Sequence, residues 1–223
     1  MRGIWLLVFS LLAQPAVYAN DARKVRKTVE GFVNPALAVL KDKALDKETR
    51  KKKVADIVTS VFDFALIAKL TLGRAHWSKF DKAQQKEFTD LFVKSLQDSY
   101  ADKMDLLTDE KVEFNDPEPA EKGKFEMLTF ILSKGDRHKM LYRLYKQESD
   151  WKVYDVEISG ISLVKSYGAQ YDQFLQNGTP AGLIKKLKEK ALEPPPELAS
   201  QDKVVKSTNT AQAPPTAPAQ GKP

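Results

Sequence analysis

Few side chains in this sequence are of a type and spacing that could do chemistry. It has two histidines, His76 and His138, and no cysteine. With no acidic cluster at ligand spacing beside them, a zinc site is excluded, and so is thiolate chemistry. No serine, histidine and acid fall in a triad arrangement. Gly160, Gly168, Gly178 and Gly182 are spread as turn or helix-end residues rather than gathered into a phosphate loop. What is left is Asp155 in an aromatic setting with Tyr142, Tyr154 and Arg143. In a cavity such a carboxylate could act as an acid or base; as the cross-strand partner of Arg143 it registers a sheet, and that is the reading the residues favour.

The elements that place this group run from Trp151 to Tyr167. Lys152, Tyr154, Val156 and Ile158 alternate with Trp151, Val153, Asp155 and Glu157, the period of a half-buried strand. Gly160 ends that strand, and Ser162 stands as N-cap before Leu163, Val164, Tyr167, Tyr171 and Phe174 recur at helical spacing. The preceding strand holds Met140, Tyr142 and Leu144. A three-residue loop of Glu148, Ser149 and Asp150 predicts Leu144 beside Tyr154, Tyr142 beside Val156, Met140 beside Ile158 and Arg143 beside Asp155.

Upstream the pattern is helical. Val25, Val29, Phe32, Val33, Leu37 and Leu40 form one stripe, with Pro35 as an expected kink or break. A second helix is expected over residues 47–59. Asp63 caps a short one that Gly73 ends, and Asp81 with Gln84 forms a capping box for the longest, striped by Phe88, Leu91, Phe92, Leu96, Tyr100, Met104 and Leu107. After Thr108 the chain turns to strands, with a turn at Lys134-Gly135-Asp136. Phe125, Met127 and Ile131 point to one face of the first long strand, and Leu128, Phe130 and Leu132 to the other. Helices followed by a strand meander predict an α+β fold, with an antiparallel sheet of about four strands packed against N-terminal and C-terminal helices. A sheet apolar on both faces needs cover on both, from helices, a partner or an apolar ligand.

Asn177-Gly178 ends the helix begun at Ser162, and Thr179-Pro180 starts a last one. Of the 223 residues, 42% are hydrophobic, enough for one domain. Residues 1–19 read as a secretory signal peptide cleaved after Ala19, residues 20–192 as a single domain, and the Pro/Ala/Gln-rich residues 193–223 as a flexible tail. Removal of Arg2 with the signal takes the net charge from +6 to +5. That modest excess is interspersed along helices, and an exported chain has no nucleic-acid partner.

The residues Phe62-Asp63-Phe64, Leu72-Gly73-Arg74, Trp77, Gln84, Phe88, Phe92 and Tyr100, followed by Tyr142-Arg143-Leu144, Trp151 to Val156, Gly160-Ile161-Ser162-Leu163-Val164 and Tyr167, together resemble the MlaC family, also called the toluene-tolerance auxiliary family. The resemblance runs from Val25 to Lys190. It implies a periplasmic phospholipid carrier, not an enzyme, with a cystatin- or NTF2-like sandwich enclosing an apolar cavity. It implies no cofactor beyond phospholipid as cargo. Its implied partners are an inner-membrane ABC transporter complex and an outer-membrane lipoprotein–porin complex. On this reading acyl chains lie between the longest helix and the sheet, touching Phe88, Phe92, Leu96, Met127, Met140, Tyr142, Val156, Ile158, Leu163 and Tyr167. An enzyme with an NTF2-like cavity and a chaperone for lipoprotein acyl chains are the alternatives.

Overall fold

A computed structural model describes residues 14–104, 110–133, 136–196 and 198. The chain begins with four helices, α1 (Gln14–Lys41), α2 (Lys47–Val61), α3 (Phe64–Trp77) and α4 (Lys82–Met104). Six strands follow, β1 (Lys111–Phe114), β2 (Glu118–Ala120), β3 (Lys124–Ser133), β4 (Asp136–Gln147), β5 (Asp150–Ile158) and β6 (Ile161–Ser162), and then α5 (Leu163–Leu175) and α6 (Pro180–Lys188). Every strand pair is antiparallel, in the order β1-β3-β4-β5-β6, with β2 also on β3. This is the α+β class expected, with the four-strand estimate short by the brief β2 and β6. Residues 1–13 of the expected leader, Leu107, Lys134, Gly135 and residues 199–223 lie outside the described residues, as do the side chains of Tyr100 and Met104.

Local signals placed most helix ends. Asp46 and Asp63 accept from Thr49 N and Leu66 N at 2.9 Å each, and Ser162 and Thr179 accept from Lys165 N and Gly182 N at 3.1 Å each. Asp81 and Gln84 exchange both bonds of the capping box, at 2.8 and 3.1 Å. Gly73, at φ 62° and ψ 168°, breaks the helical path of α3 where the sequence predicts its end, and a further turn carries on to Trp77. Helix α1, by contrast, continues past Pro35, where a kink or break is expected.

The β4–β5 hairpin departs from the expected register in two places, and the departures cancel. Gln147 pairs with Asp150, so the loop is only Glu148-Ser149, one residue shorter than expected, with Glu148 at φ 54°. A β-bulge between Arg143 and Leu144 then restores the residue: Leu144 pairs with Val153, not Tyr154, and Tyr154 is left over. Beyond the bulge the expected pairs hold, Arg143 with Asp155, Tyr142 with Val156 and Met140 with Ile158. The bulge also changes which face is apolar. Trp151 and Val153 join Val156 in one core, at 3%, 0% and 8% exposure, although unbroken alternation would put them on opposite faces.

Two apolar cores result. One lies between α1 and the sheet and contains Val25, Val29, Phe32, Val33, Phe125, Met127, Tyr142, Leu144, Trp151, Val153 and Val156, with Ile57 and Val61 of α2 at its side. The other is built by α3, α4, α5 and α6. Packing runs on past the expected boundary at Leu192: Pro195 and Leu198 are buried, Leu198 in the helical core, and Gln170 Nε2 donates to Glu193 O at 2.8 Å. A Pro/Ala/Gln-rich composition hid this because one leucine and one proline suffice to dock a short segment.

Candidate functional site

The ten residues expected to touch cargo divide evenly between the two cores. Phe88, Phe92, Leu96 and Tyr167 are buried in the helical core, with Leu163 packed half-buried against it. Met127, Tyr142 and Val156 are buried in the sheet core, with Met140 and Ile158 half-buried at its border. The expected arrangement, α4 facing the sheet, is therefore corrected. Helix α4 packs on α3 and α6, whereas α1, α2, α3 and α5 are the helices that pack on β5. Its aromatic stripe is taken up by α5: the Phe88 ring lies 5.5 Å from that of Tyr171, and Phe92 lies 5.3 Å from Tyr167, both edge-on. The tyrosines at α5 positions i and i+4 carry that contact, and their spacing was the sequence signal for it.

Where the cores meet, one aromatic among the described residues packs against both. Phe62, between α2 and α3, packs against each core. It stands 5.5 Å edge-on to Phe32 and stacks on Phe64 at 5.7 Å, while Phe32 in turn is 5.4 Å from Tyr142. The backbone fixes this position, because Phe62 bridges Val153 in parallel and Asp63 N donates to Val153 O at 2.9 Å. A second crossing lies at the β5–β6 turn, where Ile158 and Ile161 are paired, the first packing on the sheet core and the second on the helical core. In the sequence Phe62 stands in the family motif Phe62-Asp63-Phe64 and is not among the residues expected to touch cargo. Only the tertiary pairing with β5 places it where the cores meet.

Polar groups on the same strands form a network of their own. The Arg143 guanidinium donates to Glu126 at 2.9 Å, Asp155 at 2.9 Å and Glu157 at 2.7 Å. Burial works against its charge, but the hydrogen bonds to Glu157, Glu126 and Asp155 outweigh that and hold the proton more tightly than usual. Asp155 is 5% exposed, and its oxygens also accept from the Ser162 hydroxyl at 2.7 Å and Val164 N at 3.1 Å. The carboxylate thus ties β4 to β5 and fastens the start of α5. Tyr145 donates to Asp63, the α3 cap, by a short hydrogen bond; burial first, and that carboxylate second, push its phenol up to about 12. Burial pushes Tyr142 and Tyr167 up to about 12 against the opposing hydrogen bonds with Thr129 and Ser99, so all three stay neutral hydroxyls at physiological pH. The buried Tyr171 hydroxyl has no hydrogen-bond partner among the described residues.

Among the described residues the arrangement offers extended apolar surface and no reactive group at its centre. It suits van der Waals contact with methylene chains, which require shape and dryness and no proton transfer. A family model described as "MlaC protein" matches residues 30–189. Among solved structures, the chain is similar to the phospholipid-binding protein from Ralstonia solanacearum, determined in complex with a phospholipid. The two share 25% identity and a TM-score of 0.67, over 78% of this chain and 98% of that one. No curated protein matches.

Proposed function

The chain belongs to the MlaC family, and from that premise we propose that it is an exported phospholipid carrier. It takes up acyl chains along the seam between the two cores and moves lipid between an outer-membrane lipoprotein–porin complex and an inner-membrane ABC transporter complex. The phospholipid held by the Ralstonia solanacearum relative supports the cargo class. The observation that carries the placement is the seam itself: two apolar layers, joined through Phe62 and through Ile158 and Ile161, with half-buried residues on either side. Met140, Tyr142, Val156 and Ile158 border it from the sheet, with Met127 beside Tyr142. Leu163 and Tyr167 border it from α5, backed by Phe88, Phe92 and Leu96.

Contacts that are non-directional can be exchanged. Parting two apolar layers exposes surface that an acyl chain then covers, and each buried methylene contributes about 0.8 kcal/mol. The chain itself therefore offsets much of the cost of opening. Among the described residues no helix is long and apolar enough to cross a membrane.

Organic extraction and mass spectrometry of the purified protein test the reading. Phospholipid at near-stoichiometric yield is expected, and Met140→Asp or Val156→Arg should abolish it while circular dichroism shows a folded chain. Protein that is consistently empty counts against the carrier, and a folded variant with its full lipid load counts against the seam.

A further inference from the structure

Resting on the carrier reading, we propose that residues 189–196 together with Leu198 form a strap that staples the helical core shut, and that its release sets the rate at which lipid enters and leaves. Helix α6 ends in a left-handed turn at Lys190, φ 52°. Lys190 N donates to Leu187 O at 3.2 Å and Ala191 N to Lys186 O at 3.0 Å, which closes the turn. Beyond it, among the described residues, the chain is tied to α4, to α5 and to the core itself. The Lys190 ammonium pairs with Asp98 of α4 at 2.8 Å, Glu193 O accepts from Gln170 Nε2 of α5 at 2.8 Å, and Leu198 is buried in the helical core. The strap therefore joins the two helices whose rings interlock as Phe88 with Tyr171 and Phe92 with Tyr167. An acyl chain bordered by Tyr167 and backed by Phe92 needs those rings to shift, and a staple across α4 and α5 opposes the shift.

The closed strap is weakly held. Lys190 and Asp98 are both exposed, so water screens their attraction. Pro194, Pro195 and Pro196 carry no N–H, which leaves this stretch little backbone with which to bind the helices. Docking also leaves two defects. Gln170 Oε1 is buried without a partner among the described residues, and a cleft of about 370 Å³ stays open between the strap, α4 and α6, walled by Leu91, Ser95, Ser99, Leu187, Leu192 and Pro194. Release hydrates that carbonyl, and what it costs is chiefly the burial of Pro195 and Leu198, a local opening well short of unfolding. Ser99 on the cleft wall reaches the Tyr167 hydroxyl, so the space beside the strap adjoins the ring that borders the cargo.

The chain has no cysteine, so a pair introduced as Gln170→Cys with Glu193→Cys can be bridged selectively by a short bis-maleimide, fixing the strap to α5. Full-length protein loaded with nitrobenzoxadiazole-labelled phosphatidylethanolamine is mixed with phosphatidylcholine vesicles, and loss of the bound label is followed in time. Bridging should slow release about tenfold or more relative to the same variant before bridging. A bridge at Glu87→Cys with Lys188→Cys joins α4 to α6 where their side chains meet at 2.7 Å, leaves the strap free, and should not change the rate. Leu198→Ala in the full chain, which loosens the buried anchor, should speed release about tenfold with circular dichroism unchanged. Equal release before and after bridging at 170 and 193 overturns the strap, even where Leu198→Ala is fast, because the substitution alone could act by loosening the core. Equal slowing by both bridges likewise overturns it, since rigidity between helices would then suffice. In either case lipid still binds and the carrier stands, whereas a parent chain that takes up no labelled lipid brings down the carrier reading as well.

Discussion

At the scale of single residues, Asp155 carries more of the structure than a cross-strand partner would. The sequence pairs it with Arg143, and that pair is present. The same carboxylate also receives the Ser162 hydroxyl and the Val164 N–H, while Arg143 is shared with Glu126 and Glu157. Removing one partner of a buried pair strands the other charge, so Asp155→Ala should cost about 3 kcal/mol in urea unfolding. Exchanging the two charges, Arg143→Asp with Asp155→Arg, should restore little of it. The new arginine would face two donors at the start of α5, and the new aspartate two glutamates. Full recovery in the exchanged chain would mean that the Arg143–Asp155 contact alone matters.

At the scale of elements, the bulge at Tyr154 decides which side chains β5 buries. Without it, Trp151 and Val153 would leave the face that holds Val156 and Ile158. Deletion of Tyr154 should therefore be tolerated better than deletion of Lys152. The first leaves Val153 and Asp155 as neighbours in regular alternation, with the hairpin pairs on both sides kept. The second shortens the strand within the regular segment and turns Trp151 away from the sheet core. Thermal unfolding of the two deletions gives the order, and equal destabilisation would show that the bulge does not set the faces. Lys146, the exposed cross-strand partner of Trp151, reaches Asp21 of α1 at 3.2 Å.

At the scale of the whole molecule, the fold holds two cores around a seam and closes with a segment beyond α6. Leu198 is 3% exposed within the helical core. Full burial of a leucine contributes about 1.5–3 kcal/mol, so a chain ending after Leu192 should lose stability by about that amount. A chain ending after Ser200 keeps the contact and should melt where the full chain does. Equal melting of all three would remove Leu198 from the account of stability.

Elements whose causes are local are legible in the sequence. The caps at Asp63, Asp81, Ser162 and Thr179, the break at Gly73 and the order of helices before strands follow from short-range hydrogen bonding and backbone preference. The motif set from Phe62 to Tyr167 also carried the family. The cargo candidates were legible as apolar residues, but not as two separate sets. An apolar stripe on α4 is the same whether it meets a sheet or the tyrosines of α5, because hydrophobic contact is non-directional. Period-two alternation cannot announce its own interruption, so the bulge, the shortened loop and the shared face of Trp151 and Val156 had to come from pairing between strands. The placement of Phe62 at the seam and the docking of Leu198 likewise join residues distant in sequence. Tertiary structure decided them, because only chain closure brings such groups within contact range.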